Sequence, residues 1–332
     1  MQTTAFVGVA HIHTPNFIDR LVKRDDIRIK AVYDHDPARG EKRAQQAHST
    51  FVPDLDAILN DPEITSVVVC SETNRHLELV ERAARAGKHL FVEKPLAVSG
   101  EDAAKMRAAV ERAGVVFQTG FAQRSSPQAQ FLKREAAAGN LGTITRMRHS
   151  SGHGGSLGGW FDTEWRWFAD KEQAGGGGFA DLGAHSLDII LWVLRPVCGK
   201  ATAFAASLGH ATDRYGDIDE YGAGLITFAS GAVAVLEASW VDPKLRSPVE
   251  LFGTRGQIQI IENKIRYYSE LVEGADGGEY TGELPAQLPH AFDLFFDRLD
   301  GKDVPLISVE EAAEESRVMY ELYQAAARTD RG

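Results

Sequence analysis

The run Ala5-Phe6-Val7-Gly8-Val9-Ala10-His11-Ile12-His13, read together with Ile27-Arg28-Ile29-Lys30-Ala31-Val32-Tyr33-Asp34, decides the fold of this chain. The first is an apolar run over residues 5–10 that ends in a glycine-containing turn. A helical spacing follows over residues 16–24, with Phe17, Ile18, Leu21 and Val22 on one side. The second apolar run, residues 27–33, closes on an acid. A strand, a glycine turn, a helix and a second strand make a βαβ unit, and its first turn is where G-x-G-x-x-G binds a dinucleotide pyrophosphate. Here only Gly8 of the three glycines is kept; Ala10 adds one methyl, and His13 stands in the third place. Asp34 strengthens the reading, because a carboxylate at the end of the second strand can accept both ribose hydroxyls and repels a 2′-phosphate. Asp36 adds a second acid and no arginine follows at once, so NAD is expected ahead of NADP. A solvated turn aspartate is the plain alternative for Asp34.

Working outward, helices over residues 37–47, 55–59, 76–86 and 99–113 alternate with short apolar strands at 67–70, 89–92 and 115–119. Continuous apolar strands separated by helices predict a parallel sheet buried on both faces, wound by right-handed crossovers. After residue 120 the pattern changes. Strand-like runs at 144–149, 201–208, 222–229, 231–240, 247–252 and 256–261 are joined by turn signals such as Ser230-Gly231. A helix covers 179–194, and two more close the chain at 290–299 and from Ser308, where Ser308-Val309-Glu310-Glu311 fits a capping box. The expectation is an α/β dinucleotide domain over 1–120 and an α+β substrate domain over 121–332. The second would hold an open, mostly antiparallel sheet with helices on one face, the final helices being free to pack back on the first.

The chain has 332 residues and a net charge of −11. That acidity argues against nucleic acid or an anionic membrane as a partner. No apolar run is long enough for a signal peptide or a membrane span. Cys70 and Cys198 form no CxxC pair and read as buried thiols, consistent with a reducing cytoplasm. Glycine is over-used, at 32 residues, and concentrates at 152–159 and 175–178.

Two segments carry chemistry. Glu93-Lys94-Pro95 ends a strand, where open α/β sheets bind ligands; a lysine there can donate to a substrate oxygen. A surface lysine is the plain alternative. In Gly175-Gly176-Gly177-Gly178-Phe179-Ala180-Asp181-Leu182-Gly183-Ala184-His185, four glycines allow close backbone approach. Asp181 and His185 then share one helix face, a pairing suited to acid–base work near neutral pH. A helix cap and a packed histidine explain them equally well. Trp160 and Trp165 can stack on a sugar face or form a packed cluster with Trp167, and the glycines at 152–159 suggest a lid. His11, His13 and Asp34 form a His-x-His pair beside a carboxylate, a combination common by chance, so no metal is expected.

Residues 87–96 and 174–188 resemble two segments of the Gfo/Idh/MocA family of sugar and cyclitol oxidoreductases, AGKHVxxEKP and GGG-x-x-x-D-x-G-x-H-x-x-D, in that order. The similarity runs through essentially the whole chain. It implies an NAD-dependent dehydrogenase acting on a CH–OH group of a sugar, cyclitol or related polyol, and a homodimer or homotetramer. Lys94 then lies between nicotinamide and substrate, Asp181 positions substrate and His185 is the acid–base. Ser71, Asn74 and His76 resemble the family's T-P-x-x-x-H loop on the cofactor side, with Glu72 in place of its proline. Together with Gly8, Ala10, His13, Asp34, Glu93 and Lys94 they complete the expected cofactor set. Arg124, in Gly120-Phe121-Ala122-Gln123-Arg124, resembles the arginine that follows the family's sixth strand, and it joins Trp160 and Trp165 in the expected substrate-binding set. Two other readings of the same fold are a non-catalytic dinucleotide sensor and a glycoside-modifying enzyme that uses bound NAD transiently.

Overall fold

The computed structural model describes residues 1–329. The chain forms two compact units. The first holds β1 (Gln2–Val7), β2 (Ile27–Tyr33), β3 (Thr50–Phe51), β4 (Ser66–Val69), β5 (His89–Val92) and β6 (Phe117–Thr119) in one sheet of order β3-β2-β1-β4-β5-β6, with every pairing parallel. The order reverses beside β1, which sets the carboxyl ends of β1 and β4 at the switch point where open α/β sheets bind ligands. The helices α1 (Thr14–Val22), α2 (Pro37–Gln46), α3 (Leu55–Leu59), α4 (His76–Arg85) and α5 (Gly100–Ala113) supply the crossovers. Val67, Val68, Val69 and Cys70 are wholly buried, as a central parallel strand covered on both faces requires.

Two segments beyond residue 121 belong to this unit, Phe161–Gly175 and His290–Ser316. The physical reason lies in aromatic side chains. Phe292, Phe295 and Phe296 of the late helix share one core with Phe17 and Phe91, and the Phe17 and Phe292 rings stack 4.2 Å apart. Val309, Ala312 and Ala313 join the core on the opposite face. A division at residue 120 by chain order alone omits this apolar surface.

The second unit is built on an eight-stranded sheet. Its strands are β7 (Ile144–Gly152), β8 (Ala201–Gly209), β9 (Tyr221–Phe228), β10 (Val233–Ser239), β11 (Val249–Gly253), β12 (Gly256–Ile261), β13 (Lys264–Ser269) and β14 (Asp276–Glu279), in the order β14-β13-β12-β11-β7-β10-β9-β8. All pairings are antiparallel except β7 with β10. The alternating Lys264–Ser269 strand and the glycine-rich β14 lie outside the strands expected from sequence. The helices α6 (Pro127–Ala137) and α8 (Gly178–Cys198) belong here, the short α7 (Lys171–Ala174) and α9 (Ala291–Leu299) to the first unit; α10 (Val309–Thr329) begins with the first unit and continues in the second. Fifteen of the 21 residues of α8 are buried, so its all-round apolar sequence is that of a core helix. On β9 and β10 the inward residues Ile226, Phe228, Ala234 and Leu236 are buried, while Leu225 on the other face is exposed. The Ser308–Glu311 capping box forms as its spacing predicts: the Glu311 amide donates to Ser308 Oγ at 3.2 Å, and the Ser308 amide donates to the Glu311 carboxylate at 3.0 Å. Cys70 and Cys198 are both free and buried.

Candidate active site

The loop after β1 is held by backbone geometry. Gly8 has φ +81°, and a Cβ there would lie 2.5 Å from the Ser71 Cβ, so only glycine fits. The Val9 amide donates to Asp34 Oδ2 at 2.7 Å and the Asp36 amide to Asp34 Oδ1 at 2.8 Å. Asp34 is therefore buried and fixed at the end of β2, as a ribose-binding acid requires. Asp36 instead caps α2, accepting from the Ala38 amide at 3.0 Å. The sequence reading found no arginine close behind these acids; the structure brings one from the next turn. One Arg39 nitrogen lies 2.8 Å from both Asp34 and Glu72. Burial opposes its charge, but the two carboxylates outweigh burial and raise the Arg39 pKa. Glu72, which stands where the family pattern has proline, is one of the two partners of Arg39.

The cofactor-side residues divide by role. Ser71 is buried and donates to the Glu72 carbonyl at 3.0 Å. His76 is wholly buried, with Nδ1 3.0 Å from the Leu96 carbonyl and Nε2 3.3 Å from the Ser71 carbonyl, and burial lowers its pKa, favouring the neutral ring. It ties two loops together rather than presenting a ring nitrogen to a ligand. Asn74 is exposed in a single turn of 3-10 helix. The Ala10 carbonyl accepts the Trp167 indole N–H at 3.1 Å, so Trp167 packs under the phosphate loop. No side chain caps α1, whereas Asp36, Asp54 and Ser99 cap α2, α3 and α5. An uncapped first turn beside Gly8, with Asp34 buried at the next strand end, fits a dinucleotide whose pyrophosphate meets that helix and whose ribose meets the acid.

His13 and Glu93 meet at the same end of the sheet. His13 Nδ1 lies 2.9 Å from Glu93 Oε1, and His11 Nδ1 lies 3.9 Å from the same oxygen. Glu93 Oε2 accepts the Lys94 amide at 2.7 Å. Burial pushes the Glu93 pKa up, but His11, His13 and Lys94 outweigh it and hold the carboxyl well below its usual range. A Cβ on Gly120 would lie 2.6 Å from Glu93 Oε2, so that glycine leaves room for the carboxylate. Lys94 is buried at the carboxyl end of β5, ahead of a cis Lys94–Pro95 peptide.

In the second unit, Asp181 and His185 lie one turn apart near the start of α8, and both are part-exposed where their neighbours on the helix are buried. Trp240, wholly buried at the end of β10, donates its indole N–H to Asp181 Oδ2 at 3.0 Å. The preceding glycines have a different cause from close approach to a ligand. Cβ atoms on Gly177 and Gly178 would sit 1.9 Å and 2.4 Å from the Asp219 and Glu220 carbonyl oxygens. The chain needs glycine there because another backbone passes at contact distance. Asp219 then caps α8, accepting from the Gly177 amide at 3.0 Å and the Phe179 amide at 2.9 Å. Tyr323 donates its hydroxyl to Asp219 at 3.0 Å and accepts the Ala180 amide at 3.0 Å. The sequence offered Asp181 as the cap; the carboxylate that accepts these first-turn amides is that of Asp219. Trp240, Asp219 and Tyr323 were not legible as site residues, since no local spacing links them to α8.

Arg124 is buried, with Nε 2.9 Å from Asp188 Oδ2, and its guanidinium lies 5.3 Å from the Trp192 ring. Asp188, a buried residue of α8, therefore takes up part of the guanidinium that the sequence reading offered to a substrate. Trp160 is 46% exposed and stacks against His153, ring centres 4.6 Å apart. Trp165 lies in the first unit, at the head of the turn that carries Trp167. The glycine-rich stretch at 152–159, read from sequence as a lid, is tied down at two points in this conformation. The His153 and Ser156 amides donate to the Ser239 and Trp240 carbonyls at 2.9 and 3.0 Å, and the Ser156 hydroxyl donates to Glu220.

Comparison with known proteins agrees with this geometry. Residues 3–121 match the model of the oxidoreductase family with an NAD-binding Rossmann fold, GFO_IDH_MocA, and residues 129–259 match the GFO/IDH/MocA C-terminal domain. An inositol 2-dehydrogenase of Rhizobium meliloti (strain 1021) is 31% identical over 77% of this chain and 73% of its own length. A 2,7-anhydro-N-acetylneuraminate hydratase of Escherichia coli (strain K12) is 30% identical over 71% of this chain and 61% of its own length. The crystal structure of GenD2 from gentamicin A biosynthesis, in complex with NAD, superposes with a TM-score of 0.81 at 25% identity, over 99% of this chain and 95% of that one. The chain belongs to the Gfo/Idh/MocA oxidoreductase family, with an NAD-binding Rossmann domain.

Proposed function

We propose that this protein is an NAD-dependent dehydrogenase of a secondary alcohol on a sugar, cyclitol or related polyol. The observation that carries the reading is the Asp181–His185 pair, part-exposed near the start of a mostly buried helix, with Asp181 oriented by Trp240. The inositol dehydrogenase relative supports the substrate class. His185 takes the hydroxyl proton. Lys94 donates to the same oxygen and stabilises the developing alkoxide. Asp181 accepts from a neighbouring hydroxyl and keeps that ring in register. Bound NAD supplies the hydride acceptor. A panel of sugars, inositols and glycosides with NAD or NADP, followed by reduced-nicotinamide absorbance, tests this. His185→Ala and Lys94→Ala should each lower turnover by about 10²–10⁴-fold; activity within tenfold of wild type in both would refute the roles.

The hydratase relative favours a second reading, in which bound NAD is used transiently without net redox. In that case NAD stays with the protein through gel filtration and product forms with no accumulation of NADH. The exposed face of β9 and β10, where Leu225 pairs with Val235, supports self-association into a dimer or tetramer. A monomer by sedimentation at micromolar concentration would overturn that part.

A further inference from the structure

We infer that His11, His13 and Glu93 form a binding site for a divalent transition-metal ion of the zinc type. The sequence pointed to Asp34 as the third member of such a set. The fold spends Asp34 on backbone amides and Arg39, and brings Glu93 from the end of β5 to the two histidines instead. One donor atom from each of the three residues lies within 4.8 Å of the other two. Two imidazoles and one carboxylate are the donor set that suits a borderline cation and leaves further coordination positions open.

Three features of the surroundings support the inference. Glu93 is wholly buried, with Oε2 occupied by the Lys94 amide and Oε1 turned toward both histidines. The Glu93 carboxylate is therefore oriented before any ion arrives. The His11 ring is held by Phe168 and Trp167, at ring-centre distances of 5.1 and 6.0 Å. The His13 side chain is 42% exposed, which gives an ion a route in and keeps one side of the site open to an oxygen ligand.

The test is a titration of the tag-free, NAD-free full chain with Co²⁺ and, separately, Zn²⁺. It is read by visible d–d absorption for Co²⁺ and by metal content after equilibrium dialysis for both. One equivalent should bind, with Zn²⁺ displacing the Co²⁺ spectrum. His13→Ala and His11→Ala should abolish the spectrum, Glu93→Gln should weaken binding at least about tenfold, and His210→Ala, an exposed histidine elsewhere, should leave it unchanged. Far-UV circular dichroism confirms that each variant is folded. No Co²⁺ absorption in the wild-type chain, or binding equal in wild type and folded His13→Ala, overturns the site. His13 and Glu93 also stand in the expected cofactor set, so the titration uses NAD-free protein, and the dehydrogenase reading is tested separately by the substrate panel.

Discussion

The Trp240 indole N–H donates to Asp181 Oδ2 at 3.0 Å, so the end of β10 sets the orientation of a carboxylate on the first turn of α8. Trp240→Phe keeps most of the buried ring and removes the donor. We expect a stability loss of about 1–3 kcal/mol and a fall in kcat/KM on the alcohol substrate. Both are measurable by urea unfolding and steady-state kinetics. Unchanged kinetics would show that Asp181 holds its place without Trp240.

Asp34 is the negative charge at the end of β2, and Arg39 is the cation paired with it at 2.8 Å. Asp34→Ser removes the repulsion and leaves Arg39 in place. The NADP:NAD ratio of dissociation constants, measured by calorimetry, should shift toward NADP by at least tenfold, on the order of the 1.4 kcal/mol that one such interaction is worth. Arg39→Ala in the same background should reverse that gain.

Arg124 and Asp188 are both buried and paired, so removing the cation strands a carboxylate. Arg124→Ala should destabilise the fold by about 3–5 kcal/mol. Arg124→Met with Asp188→Leu should recover much of it. A substrate-binding arginine would give the opposite pattern, a raised KM with stability unchanged.

Gly177 has no space for a side chain, because the Asp219 carbonyl would lie 1.9 Å from its Cβ. Gly177→Ala must displace a backbone segment, and we expect a loss of at least about 1–3 kcal/mol. The melting temperature reports it. A glycine reserved for substrate approach would raise KM and leave the melting temperature alone.

His149 on β7 is wholly buried, and burial lowers its pKa from 6.5 to about 4. Its Nδ1 has no hydrogen-bond partner among the described residues. The unfolded chain therefore takes up a proton below pH 6.5 that the folded chain refuses until about pH 4. Stability contributed by this residue falls as the pH drops through that window and is level on either side of it, with a total on the order of 3 kcal/mol. His149→Gln should flatten that part of the stability–pH curve, measured by denaturant midpoints. An identical curve in the variant would show that other groups set it.

The nucleotide fold was legible because its signals are local. The apolar runs, the helix-closing glycines and Asp34 at a strand end lie within a few residues of what they govern, and the structure places them as read. Lys94, Asp181 and His185 stood out in the sequence because each sits in a short motif with a fixed spacing. The glycine tetrad was located correctly and its cause misread, since a glycine reports that something passes close without saying what. Asp219 passes there, and 42 positions separate it from Gly177.

By itself the sequence determined the two kinds of sheet, the parallel and mostly antiparallel halves, and the strand ends and helix face that carry the chemical residues. Backbone periodicity and turn chemistry act over one or two turns, so a single chain suffices to read them. The tertiary structure alone decided which partners each of those residues keeps. It gave Asp34 to Arg39, Arg124 to Asp188, Asp181 to Trp240 and Glu93 to two histidines. A buried charge or donor must find its complement wherever the packed chain brings one, and sequence distance places no limit on where that is.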